Sequence, residues 1–237
     1  MTLSSADMAG RFGVDLSELT LKPRYNLTPG QEAPVILANT NGRQVKMMQW
    51  GLIPHWAKVV PALQRQRRVE GEAPTALPVE GATRAPLMII NARAETVAAK
   101  PAFRDALKCR RCLIPADGFY EWAKKITGRG KTPYRFTLKD GEPFAFAGLW
   151  DRWVDPKGGS LSSFTIITTQ TNEIVSKVHD RMPVILPRED EEKWLDPGLT
   201  DPSVILKPCP ANWMKDYEVS TVINSAKNDG AECVQPA

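Results

Sequence analysis

The residues able to move protons in this chain are few enough to follow one by one. There are two histidines. One of them, His179, precedes Asp180-Arg181 in a polar stretch between a predicted helix and an apolar strand. Imidazole titrates nearest neutral pH, so His179 is the candidate proton shuttle; read alone, it fits a surface or capping histidine equally well. Glu121 lies between Tyr120 and Trp122 on a predicted strand. A carboxylate flanked by aromatics either turns to solvent by alternation or sits in a cleft with a raised pKa, and alternation favours solvent. Asn91-Ala92-Arg93 follows an apolar strand and precedes a predicted helix. Asn91 there fits an N-cap or a strand end, and Arg93 an ordinary surface charge. Trp50 and Trp56 fit a core. Aromatic and proline side chains beside arginines are, however, also what a single-strand stacking platform is built from.

The four cysteines, Cys109, Cys112, Cys209 and Cys233, are too few for a disulfide scaffold at this length. Cys109-Arg110-Arg111-Cys112 is a lone CxxC, and Cys209 and Cys233 do not supply the second one that a zinc site needs. The motif closes a predicted helix and opens a strand, the reverse of a thioredoxin-like site. Core or near-core thiols are expected, with no metal and no cofactor.

The elements that must carry these groups fit one domain. A chain of 237 residues, 42% hydrophobic and 24% charged, can bury a real core. Its apolar runs fall short of the ~20 residues that span a bilayer, and the amino-terminal stretch lacks a signal peptide's basic and apolar regions. A cytoplasmic protein without a membrane is therefore expected. The net charge of +4 permits a nucleic-acid partner without requiring one. Basic residues crowd two stretches, Lys58, Arg65, Arg67, Arg68 and Arg84, then Lys100, Arg104, Lys108, Arg110 and Arg111. That is the footprint of a polyanion partner or of a solvated helix face.

Strand-like runs occur at Pro34–Ala38, Gln44–Trp50, Leu87–Ile90, Cys112–Ile114, Phe119–Trp122, Tyr134–Leu138, Pro143–Trp150, Phe164–Thr168, Pro183–Leu186 and Tyr217–Ile223. Asp140-Gly141 predicts a tight hairpin between two of them. Helices are predicted at Ala94–Leu107, Asn172–Val178 and Arg188–Leu195. Many strands and few helices without βαβ alternation give an α+β fold, a single domain whose largely antiparallel sheet curls around one core. Residues 1–8 are expected to be a disordered leader or tag ahead of a domain at 9–237. Val59–Pro86 is expected to be an inserted basic surface loop.

Five segments recur in order along nearly the whole chain: Met8-Ala9-Gly10-Arg11-Phe12; Pro23-Arg24-Tyr25-Asn26-Leu27-Thr28-Pro29-Gly30 with Trp50-Gly51-Leu52-Ile53-Pro54-His55-Trp56; Ile90-Asn91-Ala92-Arg93-Ala94-Glu95-Thr96; Ala116-Asp117-Gly118-Phe119-Tyr120-Glu121-Trp122; and His179-Asp180-Arg181-Met182-Pro183. Val222-Ile223-Asn224 and Lys227-Asn228-Asp229-Gly230 close the series. Together these resemble the SRAP (SOS-response-associated peptidase) family of abasic-site processing proteins. Its pattern runs Met-Cys-Gly-Arg-Phe, P-R-Y-N-x-x-P, W-G-x-x-P-x-W, N-A-R-x-E-T, D-G-x-x-E-W and H-x-R-M-P.

The resemblance implies binding of single-stranded DNA at abasic sites; a monomer is expected, associated with the nucleoid when bound to DNA. It also implies covalent capture: an amino-terminal cysteine condenses with the ring-opened aldehyde through its amine and closes a thiazolidine through its thiol. By the same resemblance Glu121 positions and deprotonates the amine, His179 moves protons during ring opening, and Asn91 hydrogen-bonds the nucleophile or sugar. Arg11, Arg93 and Arg181 grip phosphates, and Pro29 and Trp56 pack against bases. The same apparatus removes the family's leader by autoproteolysis. Here the cysteine position falls on Ala9, so binding without a stable cross-link is expected. An engineered alanine, a natural variant, and a leader cut after Met8 that leaves an alanine amine for a reversible imine all fit. Deleting residues 1–7 with Ala9→Cys is expected to restore cross-linking. Two other classes share parts of the pattern. One is a non-enzymatic single-strand binder, which has no need of Glu121, His179 and Asn91. The other is a thiol protease built on Cys112 and His179.

Overall fold

Short runs of branched and aromatic residues, broken by Gly, Pro and Asp, favour strands over helices, and strands dominate. The computed structural model describes residues 2–40, 42–57, 88–125, 130–154 and 159–237. In chain order the strands are β1 (Glu32–Asn39), β2 (Gly42–Trp50), β3 (Asn91–Arg93), β4 (Arg111–Ala116), β5 (Phe119–Lys124), β6 (Lys131–Leu138), β7 (Phe144–Val154), β8 (Ser160–Gln170), β9 (Arg181–Pro183), β10 (Ile185–Leu186) and β11 (Met214–Glu218). The α-helices are α1 (Ser5–Phe12), α2 (Arg104–Cys109) and α3 (Arg188–Leu195).

The main sheet runs β10-β7-β4-β1-β2-β8-β3, with β9 on β8. Because β7 also pairs with β8, the path from β7 through β4, β1 and β2 to β8 closes on itself, and the sheet curls into a barrel-like ring. Pairing is antiparallel except where β2 and β3 run parallel to β8. A second sheet, β11-β6-β5, packs against the first. The expected α+β domain with a largely antiparallel, curled sheet is what forms.

Alternation sorts the side chains of the main sheet into two clusters. Ile36, Leu113, Ala147 and Leu149 join Met8 and Phe12 of α1 and Trp194 of α3 in one. Val35, Ile114, Phe146, Phe164 and Ile166 join Phe119, Phe136 and Met214 of the second sheet in the other. Each buried side chain of this size contributes roughly 1.5–3 kcal/mol. The site faces the second cluster.

Several expectations change. The stretch expected to be a disordered leader contains the first half of α1. Ser4 caps α1 in a reciprocal box with Asp7, Gly13 ends it at φ 62°, and Met8 is 0% exposed. The predicted helix over Ala94–Leu107 shrinks to Arg104–Cys109, because Pro101 cannot continue a helix and turns precede it. Asn172–Val178 tightens to one 3-10 turn at Val175–Lys177. Asp140-Gly141 does form a turn, with Gly141 at φ 76°, but it carries the chain from one sheet to the other and is not a hairpin. Pro183–Leu186 divides between β9 and β10, and Tyr217–Ile223 between β11 and a 3-10 turn at Thr221–Asn224. Of the strand expected at Leu87–Ile90, Leu87 lies outside the described residues, and the rest carries a single bridge, Leu52 to Ile89, with the strand proper starting at Asn91. The basic insertion at 59–86, with Arg65, Arg67, Arg68 and Arg84, and Lys58 just before it, lies outside the described residues.

Candidate functional site

A pocket of about 600 Å³ opens between the two sheets. β3 supplies Asn91 and Arg93 to it while Ala92 between them is buried in the opposite cluster, so a three-residue strand places both polar side chains on one face. β5 supplies Glu121, β9 supplies Arg181, and the turn before β9 supplies His179. Asn91, Glu121 and His179, separated in sequence by dozens of residues, thus line one pocket together with Arg93, Arg181 and Pro29.

Three other expected site residues are elsewhere. Ala9 sits on α1, whose buried face joins the cluster away from the pocket. Arg11, on the same helix, is committed to structure. Its guanidinium meets the buried Glu191 at 2.6 Å and donates to the Pro143 carbonyl at 2.9 Å. Trp56 is 54% exposed but does not line the pocket. The amino-terminal residue that does line it is Thr2.

Thr2 donates to Asp117 Oδ2 through its backbone N–H at 3.0 Å and through its hydroxyl. Asp117 in turn pairs with Arg135 at 3.4 Å, and Arg135 donates to the Tyr217 hydroxyl at 2.8 Å. Burial tends to raise the Asp117 pKa, but the positive amino terminus, Thr2 and Arg135 outweigh it and hold the carboxyl below its usual range. Asp117 and Arg135 escaped sequence reading as site residues because one is a charge in the turn between β4 and β5 and the other an isolated charge within β6. Both line the pocket, Arg135 opposite Tyr120 in the β5–β6 pairing.

Glu121 is half-buried, and the loss of water raises its pKa; the nearby His179 and Lys131 pull it back down in part, while Asp180 adds to the rise. The solvent-facing position that alternation favoured is therefore wrong: the second sheet folds its aromatic edge over the pocket and takes Glu121 with it. His179 Nδ1 lies 3.0 Å from the Arg181 backbone N–H and 3.2 Å from Asp180 Oδ1. Its Nε2 has no hydrogen bond among the described residues. Arg181 donates to both oxygens of Glu95 at 2.8 and 3.0 Å and to the Thr168 carbonyl at 2.7 Å. Carboxylate, imidazole and amide groups against an apolar wall of Trp50, Phe164 and Ile166 can move protons at a polar carbon while excluding much of the water.

The pocket is framed by contacts between distant motifs. Asn26 is 4% exposed and donates to the carbonyls of Ile223 at 3.0 Å, Ser225 at 3.1 Å and Asn228 at 3.0 Å. Asp229 accepts from the backbone N–H groups of Tyr25 and Asn26 at 2.6 and 2.7 Å and pairs with Arg24. The Tyr120 hydroxyl donates to the Tyr25 carbonyl at 2.8 Å.

The thiols stand apart. All four cysteines are free, and none lines the pocket. Cys112 is 0% exposed, and burial drives its thiol pKa well up, so a Cys112–His179 nucleophilic pair is ruled out. Of the second basic stretch, Arg111 is buried and spends its guanidinium on the carbonyls of Trp194, Leu107, Lys108 and Asp196. It is not available to a polyanion. No helix among the described residues is long and apolar enough to cross a membrane.

Comparison with known proteins gives a consistent result. A family model described as SOS response associated peptidase (SRAP) matches residues 1–226. The chain is 39% identical over 234 residues to the abasic site processing protein YoqW of Bacillus subtilis (strain 168), covering 97% of this chain and 94% of that one. It is 32% identical over 251 residues to the abasic site processing protein HMCES of Gallus gallus, covering 93% of this chain and 68% of that one. A crystal structure of a protein from Bacteroides thetaiotaomicron superposes with a TM-score of 0.81 at 32% identity, over 100% of this chain and 97% of that one.

Proposed function

Since the chain belongs to the SOS response associated peptidase (SRAP) family, we propose that it recognises abasic sites in single-stranded DNA by taking the ring-opened sugar into the pocket between its sheets. The observation that carries this reading is the meeting of Asn91, Glu121 and His179 in one pocket with Arg93 and Arg181. An abasic sugar in its open form presents an aldehyde and a free hydroxyl. His179, with Nε2 unengaged, moves the proton needed to open the ring. Glu121, its pKa raised by burial, takes a proton from an amine or water at the aldehyde carbon. Asn91 hydrogen-bonds the opened sugar. Arg93 and Arg181 meet phosphates, and Pro29 and Trp56 meet neighbouring bases.

Stable covalent capture through a thiazolidine needs an amine and a thiol on one residue. No cysteine lines the pocket, and the binding proposed here is the non-covalent step. The family's autoproteolytic step needs the same nucleophile and is not proposed for the chain as it stands.

The test is equilibrium binding to three single-stranded oligonucleotides: intact, carrying a true abasic site, and carrying a tetrahydrofuran analogue that cannot open. The true abasic strand is expected to bind most tightly, and more tightly than the same site in a duplex. Glu121→Gln and His179→Ala should remove the preference over the analogue. Equal affinity for all three strands would overturn the reading.

A further inference from the structure

Outside the pocket, the turn at 54–57 is fixed from both sides by one strand. Asp151 of β7, buried at 5% side-chain exposure, accepts from the backbone N–H of His55 at 2.9 Å and meets its ring Nδ1 at 3.0 Å. Its other oxygen accepts from the Arg152 N–H at 2.8 Å and faces Arg110 Nε at 3.2 Å. Two residues along β7, on the same face by alternation, Trp153 donates its Nε1–H to the Ala57 carbonyl at 2.6 Å. Trp56 lies between these two attachments with its own ring exposed.

An exposed tryptophan on a free loop loses conformational freedom when a flat ligand stacks on it. One whose backbone is pinned before and after has already lost much of it, and binds more tightly for that reason. The pinning carboxylate also faces Arg110, a cation suited to a phosphate beside a stacked base. None of Asp151, Trp153 and Trp56 lines the pocket.

We propose that Asp151 is a positioning residue: through His55, and together with Trp153, it sets Trp56 as a rigid stacking surface for a nucleobase that lies beyond the pocket. This rests on the reading of the protein as a single-strand binder. What it adds to that reading is a buried carboxylate whose part in DNA binding is indirect.

The test is a double-mutant cycle on single-stranded DNA affinity, using the full chain and checking each variant's thermal unfolding. Trp56→Ala should weaken binding about tenfold, the scale of one lost base stack, with the salt slope unchanged because no phosphate contact is lost. Asp151→Asn should also weaken binding, although it removes a negative charge that DNA would otherwise be repelled by. In the Trp56→Ala background it should cost nothing further. Trp153→Phe keeps the packing and loses only the Ala57 contact, so it repeats the test if Asp151→Asn fails to fold. Tighter binding by Asp151→Asn, or clamp and Trp56 effects that simply add, would overturn the proposal. If the parent chain binds no single-stranded DNA, the functional reading itself has failed; a parent that binds while the cycle shows no coupling sinks the clamp alone.

Discussion

Arg181 grips Glu95 with both terminal nitrogens, Nη1 to Oε1 at 2.8 Å and Nη2 to Oε2 at 3.0 Å. An arginine proposed to meet a DNA phosphate is thus already paired with a carboxylate, and that pairing also holds Glu95 below its usual pKa. DNA must displace Glu95 to use Arg181. Replacing Glu95 by Gln is expected to tighten single-stranded DNA binding roughly two- to fivefold, the scale of one exposed ion pair. It should steepen the salt dependence by about one counterion. Titrations at several salt concentrations check both; an unchanged slope would mean that Arg181 never reaches a phosphate.

Asn26 ties the amino-terminal third of the chain to the carboxyl-terminal loop through three carbonyls. Asn26→Ala takes away the donor that these three carbonyls share, the Ile223 carbonyl among them buried. Chemical denaturation should show a loss of about 1–3 kcal/mol, and because the same contacts frame the pocket, abasic-site binding should weaken with it. A variant as stable as the parent would show that water replaces the amide without cost.

Much of the fold was legible because alternation and turn residues report locally. β1, β2, β7 and β8 appear within a few residues of their sequence-derived bounds, and α3 matches at both ends. The long-range decisions were not legible. Nothing local in Asp140-Gly141 says whether the next strand returns to the same sheet, and nothing around Glu121 says that a second sheet folds over it. At the site, the segments carrying Asn91, Glu121 and His179 were readable as motifs. Ala9 does not line the pocket although Ala9-Gly10-Arg11-Phe12 matches the family's opening pattern in letters, because Met8 and Phe12 have the spacing of a buried helix face. Asp117, Arg135 and the Asp151 clamp could not be read in advance, since a single buried carboxylate has no sequence period.

The raised pKa of Glu121 carries a cost in stability with a definite sign. A carboxyl whose pKa is higher folded than unfolded holds its proton more tightly in the folded state. It therefore favours folding below the ordinary carboxylate pKa, and that benefit is lost as pH rises through the folded value. Glu121→Gln, which cannot ionise, should then unfold at a temperature higher by on the order of a few degrees at neutral pH. The gap should close below the usual carboxylate range. The same variant should lose its preference for the open abasic sugar. Parallel melting curves across pH would tell against the buried placement if the gap did not change.

Arg11 is expected to serve stability and not DNA binding. Glu191 is buried and accepts from Arg11 and from Arg43 at 3.2 Å. Arg11→Ala removes the nearer partner and should cost about 3 kcal/mol, the low end for a broken buried pair, because Arg43 remains. Single-stranded DNA affinity and its salt slope should stay at the parent's values under conditions where the variant is folded. A flatter slope would return Arg11 to the phosphate-binding set.

The position of a competent nucleophile follows from where the chain's early residues lie. Ala9 is on a helix packed away from the pocket, so a cysteine there, even with the preceding residues removed, has its amine and thiol on the wrong side of the sheet; the cut also deletes buried Met8. Restoration of cross-linking by Ala9→Cys is therefore not expected. Thr2 lines the pocket, with its N–H and side chain both directed to Asp117. A Thr2→Cys chain from which Met1 has been removed would present an amine and a thiol on one residue in the pocket that holds Glu121 and His179. On a denaturing gel with an abasic oligonucleotide, the parent should give no band that survives boiling. The truncated Ala9→Cys form should give none either, and the Thr2→Cys form should give one. Adding Asp117→Asn to the Thr2→Cys form should slow the appearance of that band without changing the mobility of the product, because the carboxylate orients the amine and takes no part in the ring. A boiling-resistant band from the truncated Ala9→Cys form would place α1 at the pocket after all. A stable adduct with the parent would reveal a nucleophile other than a cysteine in the pocket.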